Sequence, residues 1–536
     1  METGVEHSLA RNLERLLKPW ADRDGPGVTI GIVLDGALAL HRSAGYASIE
    51  HRVPIGPDTR FRIASVSKQF TCAAILMLAH EGRLSIEDKA TSYLPELPEF
   101  GITVAHLMHN TSGIRDMLEI MRHGGADLGT PVPLSALVDG ICRQRTLNFT
   151  PGTRFLYSNS NFLLLGLIAE RVGGKPLPDM LDDRIFAPLG MCATLMTPDL
   201  QTVIPDLATG YLDASPGTWR RAPHAFPLGG EGGLVSTVAD LALWNRNLDT
   251  GEIGGDWLAA ALSQQTPFLN GIPNRYARGQ VVQAYRGQHT VSHGGLWPGY
   301  RTEFLRLPQQ GVAIIVISND GAAIPSQIAH HALDAVLDGR PHTHLGVYPV
   351  PALPPAAVTT PMAGRFMDPA TGATLDIAIT ADGHPTLATN GMVVKAEATD
   401  DGALTSPRSS SVFAVRPAAD GVDVEQDAGI RSVWTRLPGG ATLPDGLAGT
   451  WHSPEMAATW TVAIDAGTAE IHATGPAAAS PAWPVEPIAP DLVRVHIPGT
   501  LFRAWMDVRV IRADGHAIAL EASGGRTKAV RYERVA

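Results

Sequence analysis

The chain has 536 residues, 44% of them apolar and 18% charged, a balance that excludes a disordered polyelectrolyte and a length that predicts two to four domains. Acidic residues outnumber basic ones by 53 to 42, a formal charge of −11, so the electrostatic footprint of a nucleic-acid partner is missing. No apolar run is long enough to span a membrane, and three scattered cysteines, Cys72, Cys142 and Cys192, suggest neither a disulfide framework nor a clustered metal site.

The first residues, Met1-Glu2-Thr3-Gly4-Val5-Glu6-His7, hold acids and no basic patch ahead of an apolar stretch. No secretory signal is read there, and a cytoplasmic protein is expected. A helix is expected to open the chain. Residues 28–41 then read as two strands around Asp35-Gly36, a strong short-range hairpin signal. Over residues 70–82 the apolar residues cluster among helix formers with no proline, which predicts a buried helix with Ser65 and Lys68 at its beginning. From about residue 103 to 251, helical stretches alternate with glycine- and proline-punctuated loops, and residues 162–171 read as a second apolar helix. Strands return at 281–285, 290–293, 302–307 and 312–318.

A hairpin, a helical insert, a meander and a helix fit one antiparallel sheet flanked by helices, an α/β catalytic domain over residues 1–340. Prolines then recur at 341, 349, 351, 354, 355 and 361, as in an extended linker over residues 341–361. Beyond it Ala363-Gly364-Arg365-Phe366-Met367-Asp368-Pro369 is echoed by Ala448-Gly449-Thr450-Trp451-His452-Ser453-Pro454. The two units also close alike, on Val433-Trp434-Thr435-Arg436-Leu437 and Arg531-Tyr532-Glu533-Arg534-Val535. With short alternating strands and turns such as Asp382-Gly383 and Asp514-Gly515 between them, two antiparallel β-barrels are predicted, over residues 362–438 and 446–536.

Three phrases carry candidate chemistry. Ser65-Val66-Ser67-Lys68 is the only Ser-x-x-Lys in the chain. Alone it is a weak signal, but at the start of an apolar helix residues three apart share a face, so the lysine nitrogen reaches the serine oxygen. The positive end of that helix favours negative charge developing nearby. Tyr157-Ser158-Asn159 precedes the second apolar helix; it reads either as a capping turn or as a phenol that exchanges protons beside the lysine, with Asn159 holding the carbonyl side of a substrate. His293-Gly294-Gly295 ends a late strand. A histidine there is more often structural, yet paired glycines let another backbone approach closely.

In this order and spacing the phrases resemble the serine hydrolase family of class C β-lactamases, penicillin-binding DD-peptidases, related esterases and D-aminopeptidases. His109-Asn110-Thr111-Ser112-Gly113 and Gly232-Gly233-Leu234-Val235-Ser236-Thr237 extend the likeness over roughly the first 340 residues. Ser65 to Ala73 and the two barrels are most similar to the D-aminopeptidase branch. The resemblance implies acyl transfer through Ser65, with Lys68, Tyr157 and His293 as further catalytic residues. Asn159, Gly294, Gly295 and Leu296 bind substrate, and the amides of Ser65 and Leu296 form the oxyanion hole. A histidine in the third phrase is a weak anion anchor, which favours substrates with a free amine, small peptides or amino-acid amides, over β-lactam turnover. β-Lactams as inhibitors and a homodimer come with the likeness; no cofactor, metal, membrane or nucleic acid does.

The branch also has a loop of the last barrel entering the cleft with an acid. The corresponding stretch here, residues 496–504, which includes Pro498, has none, and Asp507 beyond it reads as part of a strand. Two rivals remain: a class C β-lactamase-like hydrolase or esterase, and a non-catalytic penicillin- or peptide-binding module. Metal catalysis is disfavoured, because 19 histidines include no His-Glu-x-x-His and no compact ligand cluster.

Overall fold

Asp35 and Gly36 both take left-handed backbone angles, φ 48° and 78°, the geometry of a type I′ turn, whose twist matches that of the strands it joins. After an opening helix α1 (Glu2–Ala21), this turn links β1 (Val28–Leu34) to β2 (Ala37–Ala44). The computed structural model describes residues 2–338, 362–399, 402–405, 413–426, 430–499 and 504–535; the proline-rich stretch 341–361 lies outside them.

The helical block follows the hairpin and includes α2 (Lys68–His80), α3 (Met117–His123) and α4 (Asn159–Gly173). Then come β3 (Val281–Tyr285), β4 (Gln288–Trp297), β5 (Tyr300–Leu307), β6 (Val312–Ser318) and α5 (Pro325–Asp338). The six strands form one antiparallel sheet in the order β3-β4-β5-β6-β1-β2. Both β1 and β6 read as continuous apolar runs rather than alternating ones, because the central strands are covered on both faces. On one face Leu13 and Leu17 of α1 and Ala329 and Leu333 of α5 pack on Ile30, Ile32, Leu305 and Ile314. On the other, Val33, Phe304, Ile315 and Ile317 join the large core around α2 and α4.

Strands from Gly364–Met367 to Ile430–Arg436 make a nine-stranded antiparallel sheet. Its two edge strands, Met392–Lys395 and Glu397–Ala398, are consecutive in the chain, so the sheet curls almost into a closed barrel. Strands from Gly449–Ser453 to Val530–Arg534 close completely into an eight-stranded barrel. The internal echo in the sequence has a structural basis. Gly364 and Gly449 take φ 146° and 127° where the first strand of each unit begins. Next to them Arg436 stacks on Phe366 at 4.6 Å and Arg534 on Trp451 at 4.4 Å, each also donating to the carbonyl of the alanine before its glycine, Ala363 at 2.8 Å and Ala448 at 3.2 Å.

Helix α3 is seated on the closed barrel. His123, at its end, pairs with Tyr532 Oη at 2.7 Å and Thr527 Oγ1 at 3.1 Å, and its carbonyl accepts from Trp460 Nε1 at 2.8 Å. Trp460 stacks on Tyr532 at 4.1 Å, and the buried Arg115 pairs with Glu455 at 2.8 Å. No helix among the described residues is long and apolar enough to cross a membrane.

Candidate active site

Between the strand Phe61–Arg62 and α2 the chain makes one tight turn over Ala64–Ser67. Ala64 takes φ 48° there, a left-handed angle that costs a residue with a Cβ on the order of 1 kcal/mol. The turn leaves Ser65 partly exposed while Ile63, Ala64, Val66 and Ser67 are buried. Lys68, the first residue of α2, is wholly buried. Its Nζ donates to Ser65 Oγ at 3.0 Å, to Asn159 Oδ1 at 3.0 Å and to the Glu231 carbonyl at 2.6 Å. That carbonyl reaches the lysine because the loop carrying it is stripped of side chains: a Cβ on Gly230 would lie 2.7 Å from the Phe162 carbonyl oxygen.

Burial lowers the Lys68 ammonium to about 7, with the Glu231 carboxylate opposing the change and the Arg526 guanidinium adding to it. Two of the three partners of Nζ, Asn159 Oδ1 and the Glu231 carbonyl, can only accept. A neutral amine held by them turns its lone pair to Ser65 Oγ, the one partner with a proton to give. Tyr157 stands beside this pair, its ring 4.9 Å from Lys68 Nζ. Burial pushes the phenol above its usual value, with the neighbouring Ser65 opposing the change. Ser158 occupies the capping position of α4 but its side chain caps nothing, so the capping role open to Tyr157-Ser158-Asn159 is not realised.

His293 Nδ1 lies 2.6 Å from the Gly294 carbonyl and Nε2 lies 2.9 Å from Tyr276 Oη. A carbonyl only accepts, so Nδ1 carries the proton and Nε2 accepts from Tyr276. The ring sits 6.1 Å from that of Tyr157, and burial lowers it to about 3, leaving a neutral imidazole with both nitrogens occupied. Trp297 and Tyr300 close the β4–β5 hairpin, and in the alternation of an antiparallel pair Gly294 and Leu296 then turn their peptide groups away from β5. Since β3 pairs only as far as Ser292, this edge of β4 is open. Gly295 packs on the turn that carries Ser65, where a Cβ would come 2.2 Å from the Ile63 carbonyl oxygen.

Four participants carry no signal in the sequence: Asp116, Glu231, Tyr276 and Arg526. Asp116 caps α3 through Leu118 N at 3.0 Å and also accepts from Asn159 N at 2.8 Å, Asn159 Nδ2 at 3.0 Å and Arg526 Nη1 at 3.2 Å. None of the four sits in a short motif, and only long-range packing brings them in. The loop expected in the cleft, residues 496–504, is described only at its ends. Pro498 is exposed after the strand Leu492–Ile497, and no hydrogen bond or ring contact among the described residues joins it to Ser65, Lys68 or Tyr157. Asp507 is buried away from the cleft, held by Arg494 at 3.2 Å and by Thr374 N at 2.9 Å from the neighbouring barrel. A different turn of the closed barrel, residues 524–529, reaches the site and lays Arg526 over the Tyr157 ring at 4.8 Å.

His109, His123 and His293 are all buried, and burial lowers them to about 4, 3 and 3. Unfolded, they titrate near 6.5, so between about pH 6.5 and 3 the unfolded chain binds protons that the native state refuses. Stability is therefore expected to fall as pH drops through that window. Tm measured from pH 7.5 to pH 4.5 should decline progressively, and less steeply in His123→Gln; an unchanged slope in that variant would contradict the assignment.

The family model described as Beta-lactamase matches residues 9–338. A D-aminopeptidase of Gluconobacter oxydans is 30% identical over 321 residues, 59% of this chain and 60% of its own, and that of Brucella anthropi is 31% identical over 59% of its length. These alignments thus span about three fifths of both relatives. A D-aminopeptidase of Cereibacter sphaeroides is 27% identical over 87% of each chain. Among solved structures, a D-amino acid amidase from Ochrobactrum anthropi SV3 complexed with D-phenylalanine superposes with a TM-score of 0.53 at 24% identity, covering 63% of this chain and 99% of its own. The octameric penicillin-binding protein homologue from Pyrococcus abyssi superposes with a TM-score of 0.55 at 21% identity, over 99% and 100% of the two chains. These likenesses show the fold, and the match over residues 9–338 encloses the Ser-x-x-Lys turn and the strand edge facing it: the chain belongs to the β-lactamase family of serine hydrolases.

Proposed function

We propose that this chain releases N-terminal D-amino acids from short peptides and amino-acid amides through an acyl-enzyme on Ser65. The observation that carries the reading is the environment of Lys68: a buried amine, lowered toward neutrality, whose two carbonyl partners aim its lone pair at the nucleophile. Neutral Lys68 takes the Ser65 proton as Oγ bonds to the substrate carbonyl carbon. The backbone N–H groups of Ser65 and Leu296 receive the oxyanion, each such donor contributing about 3 kcal/mol. Tyr157, kept as a neutral phenol, relays one proton: it gives its own to the departing amine as the C–N bond breaks and takes one from Lys68. Water then attacks the acyl-enzyme by the same route and frees Ser65.

His293 acts by position, since its two nitrogens are committed to Gly294 and Tyr276. A neutral ring there supports substrates that need no cationic anchor for a terminal carboxylate, and the relatives named D-aminopeptidase support the D-configuration of the acyl residue. A cytoplasmic location, a homodimer and inhibition by β-lactams go with this reading.

Turnover of D-alanine p-nitroanilide, its L-enantiomer and a chromogenic cephalosporin tests it. The D-anilide is expected to be the best substrate, and a preference for the cephalosporin would overturn the aminopeptidase assignment. A fluorescent penicillin should label the wild type and not Ser65→Ala; unchanged labelling would remove Ser65 from its role.

A further inference from the structure

The turn that carries Arg526 is fixed on both sides. Arg526 N donates to Glu119 Oε2 at 2.7 Å, Thr527 Oγ1 to the same oxygen at 3.0 Å, and Lys528 N to Asn148 Oδ1 at 2.7 Å. The Arg526 carbonyl accepts from Asn148 Nδ2 at 3.0 Å. The guanidinium is therefore delivered by a rigid mount that spans both domains. Its side chain remains 39% exposed, and its one hydrogen bond among the described residues is the single contact of Nη1 to Asp116. A guanidinium has five donors arranged in a fork, so Nε and Nη2 have no acceptor among the described residues.

Asp116 and Glu119 offset part of the charge, yet neither offers an oxygen to a ligand in the same way. Asp116 is wholly buried and already accepts four hydrogen bonds, while Glu119 Oε2 serves the backbone and hydroxyl of the turn and its Oε1 lies against Gly525, where a Cβ would come 2.9 Å from it. Glu231 is buried behind Lys68. On the flank of the cleft formed by Tyr157, a cationic donor fork is thus open among the described residues, stacked on the phenol whose ring lies 4.9 Å from Lys68 Nζ.

We propose that Arg526, supplied by the closed barrel, is a specificity-determining residue that receives a substrate carboxylate one side-chain length from the scissile carbonyl. This deepens the acyl-enzyme reading above and rests on it. The carboxylate has two sources, the side chain of an aspartyl- or glutamyl-type acyl residue or the free terminus of a peptide leaving group, and the test separates them. Four substrates suffice: the p-nitroanilides of D-alanine and D-aspartate, and the dipeptide D-alanyl-D-alanine with its C-terminal amide.

In Arg526→Gln the ratio of kcat/KM for the carboxylate-bearing member of a pair over the neutral one is expected to fall about 10- to 100-fold, as loss of a charge-assisted hydrogen bond implies. A fall confined to the anilide pair assigns the side chain; a fall confined to the dipeptide pair assigns the terminus. Arg526→Lys keeps a cation beside Asp116 and, should the glutamine variant fail to fold, is read instead, with a smaller fall expected because the fork is lost. In either variant, an equal change on all four substrates, or none, would overturn the inference. That outcome with Ser65 labelling intact spares the acyl-enzyme reading, and loss of labelling specificity at Ser65 would sink that reading independently.

Discussion

Lys68→Met is expected to lower kcat/KM for D-alanine p-nitroanilide by about 10²- to 10⁴-fold, the range that a positioned proton acceptor supplies, without unfolding the protein. Methionine has nearly the length of lysine and no charge to desolvate, so it suits a slot that is wholly buried. The cost lies in Asn159 Oδ1 and the Glu231 carbonyl, each losing a donor, about 1–3 kcal/mol apiece. Removal of a buried cation offsets part of this. Steady-state kinetics with Tm as the control checks it, and activity within about fivefold of wild type would remove Lys68 from the proton path.

The same residue sets a pH signature. In the native state its ammonium is lowered to about 7, whereas an unfolded lysine titrates near 10.4. Between those values the unfolded chain binds the extra proton, so this group's contribution raises stability as pH climbs from about 7 to about 10 and weakens it below. Activity follows the neutral amine, so kcat/KM is expected to rise through about pH 7. In Lys68→Met the lysine-linked part of the stability slope should vanish.

Asp116→Ala is expected to destabilise the protein by about 3–5 kcal/mol, the cost of taking one partner from a buried charge network. Its carboxylate is wholly buried and accepts from two backbone amides, one side-chain amide and one guanidinium. Deletion would strand all four donors, uncap α3 and release Arg526 from the site. Asp116→Asn, which keeps acceptors for part of this set, should lose less. Urea unfolding of the two variants measures the difference; a loss below about 1 kcal/mol in Asp116→Ala would mean that water replaces the carboxylate without penalty.

Much of the catalytic unit can be read from local chemistry. The Asp35-Gly36 hairpin, the apolar helix after Ser65 and the late meander each follow from periodicity and turn residues, and the strands lie where the patterns place them. β4 is longer than its apolar pattern suggests, running over Gln288–Trp297, because Gly294 and Leu296 carry no burial signal on an open edge. The repeat beyond residue 362 is legible as aromatic and glycine echoes, and its arginine-on-aromatic contacts account for them.

The cleft is legible only in part. Asp116 and Arg526 are separated by 410 residues, and Glu231 takes its place through a backbone carbonyl, which no side-chain motif reports. Arg526 follows two glycines in what reads as an ordinary turn, and the family resemblance points instead to 496–504.

The candidate nucleophile, the amine one turn away and the order of strands and helices are legible along the chain, because these rest on contacts between residues close to one another in it. Which charges surround that amine, which barrel turn faces the phenol and which peptide groups lie open at the sheet edge follow only from the folded chain. Those outcomes depend on burial and on the docking of one domain against another, and desolvation acts on a group only once the surfaces that cover it have met.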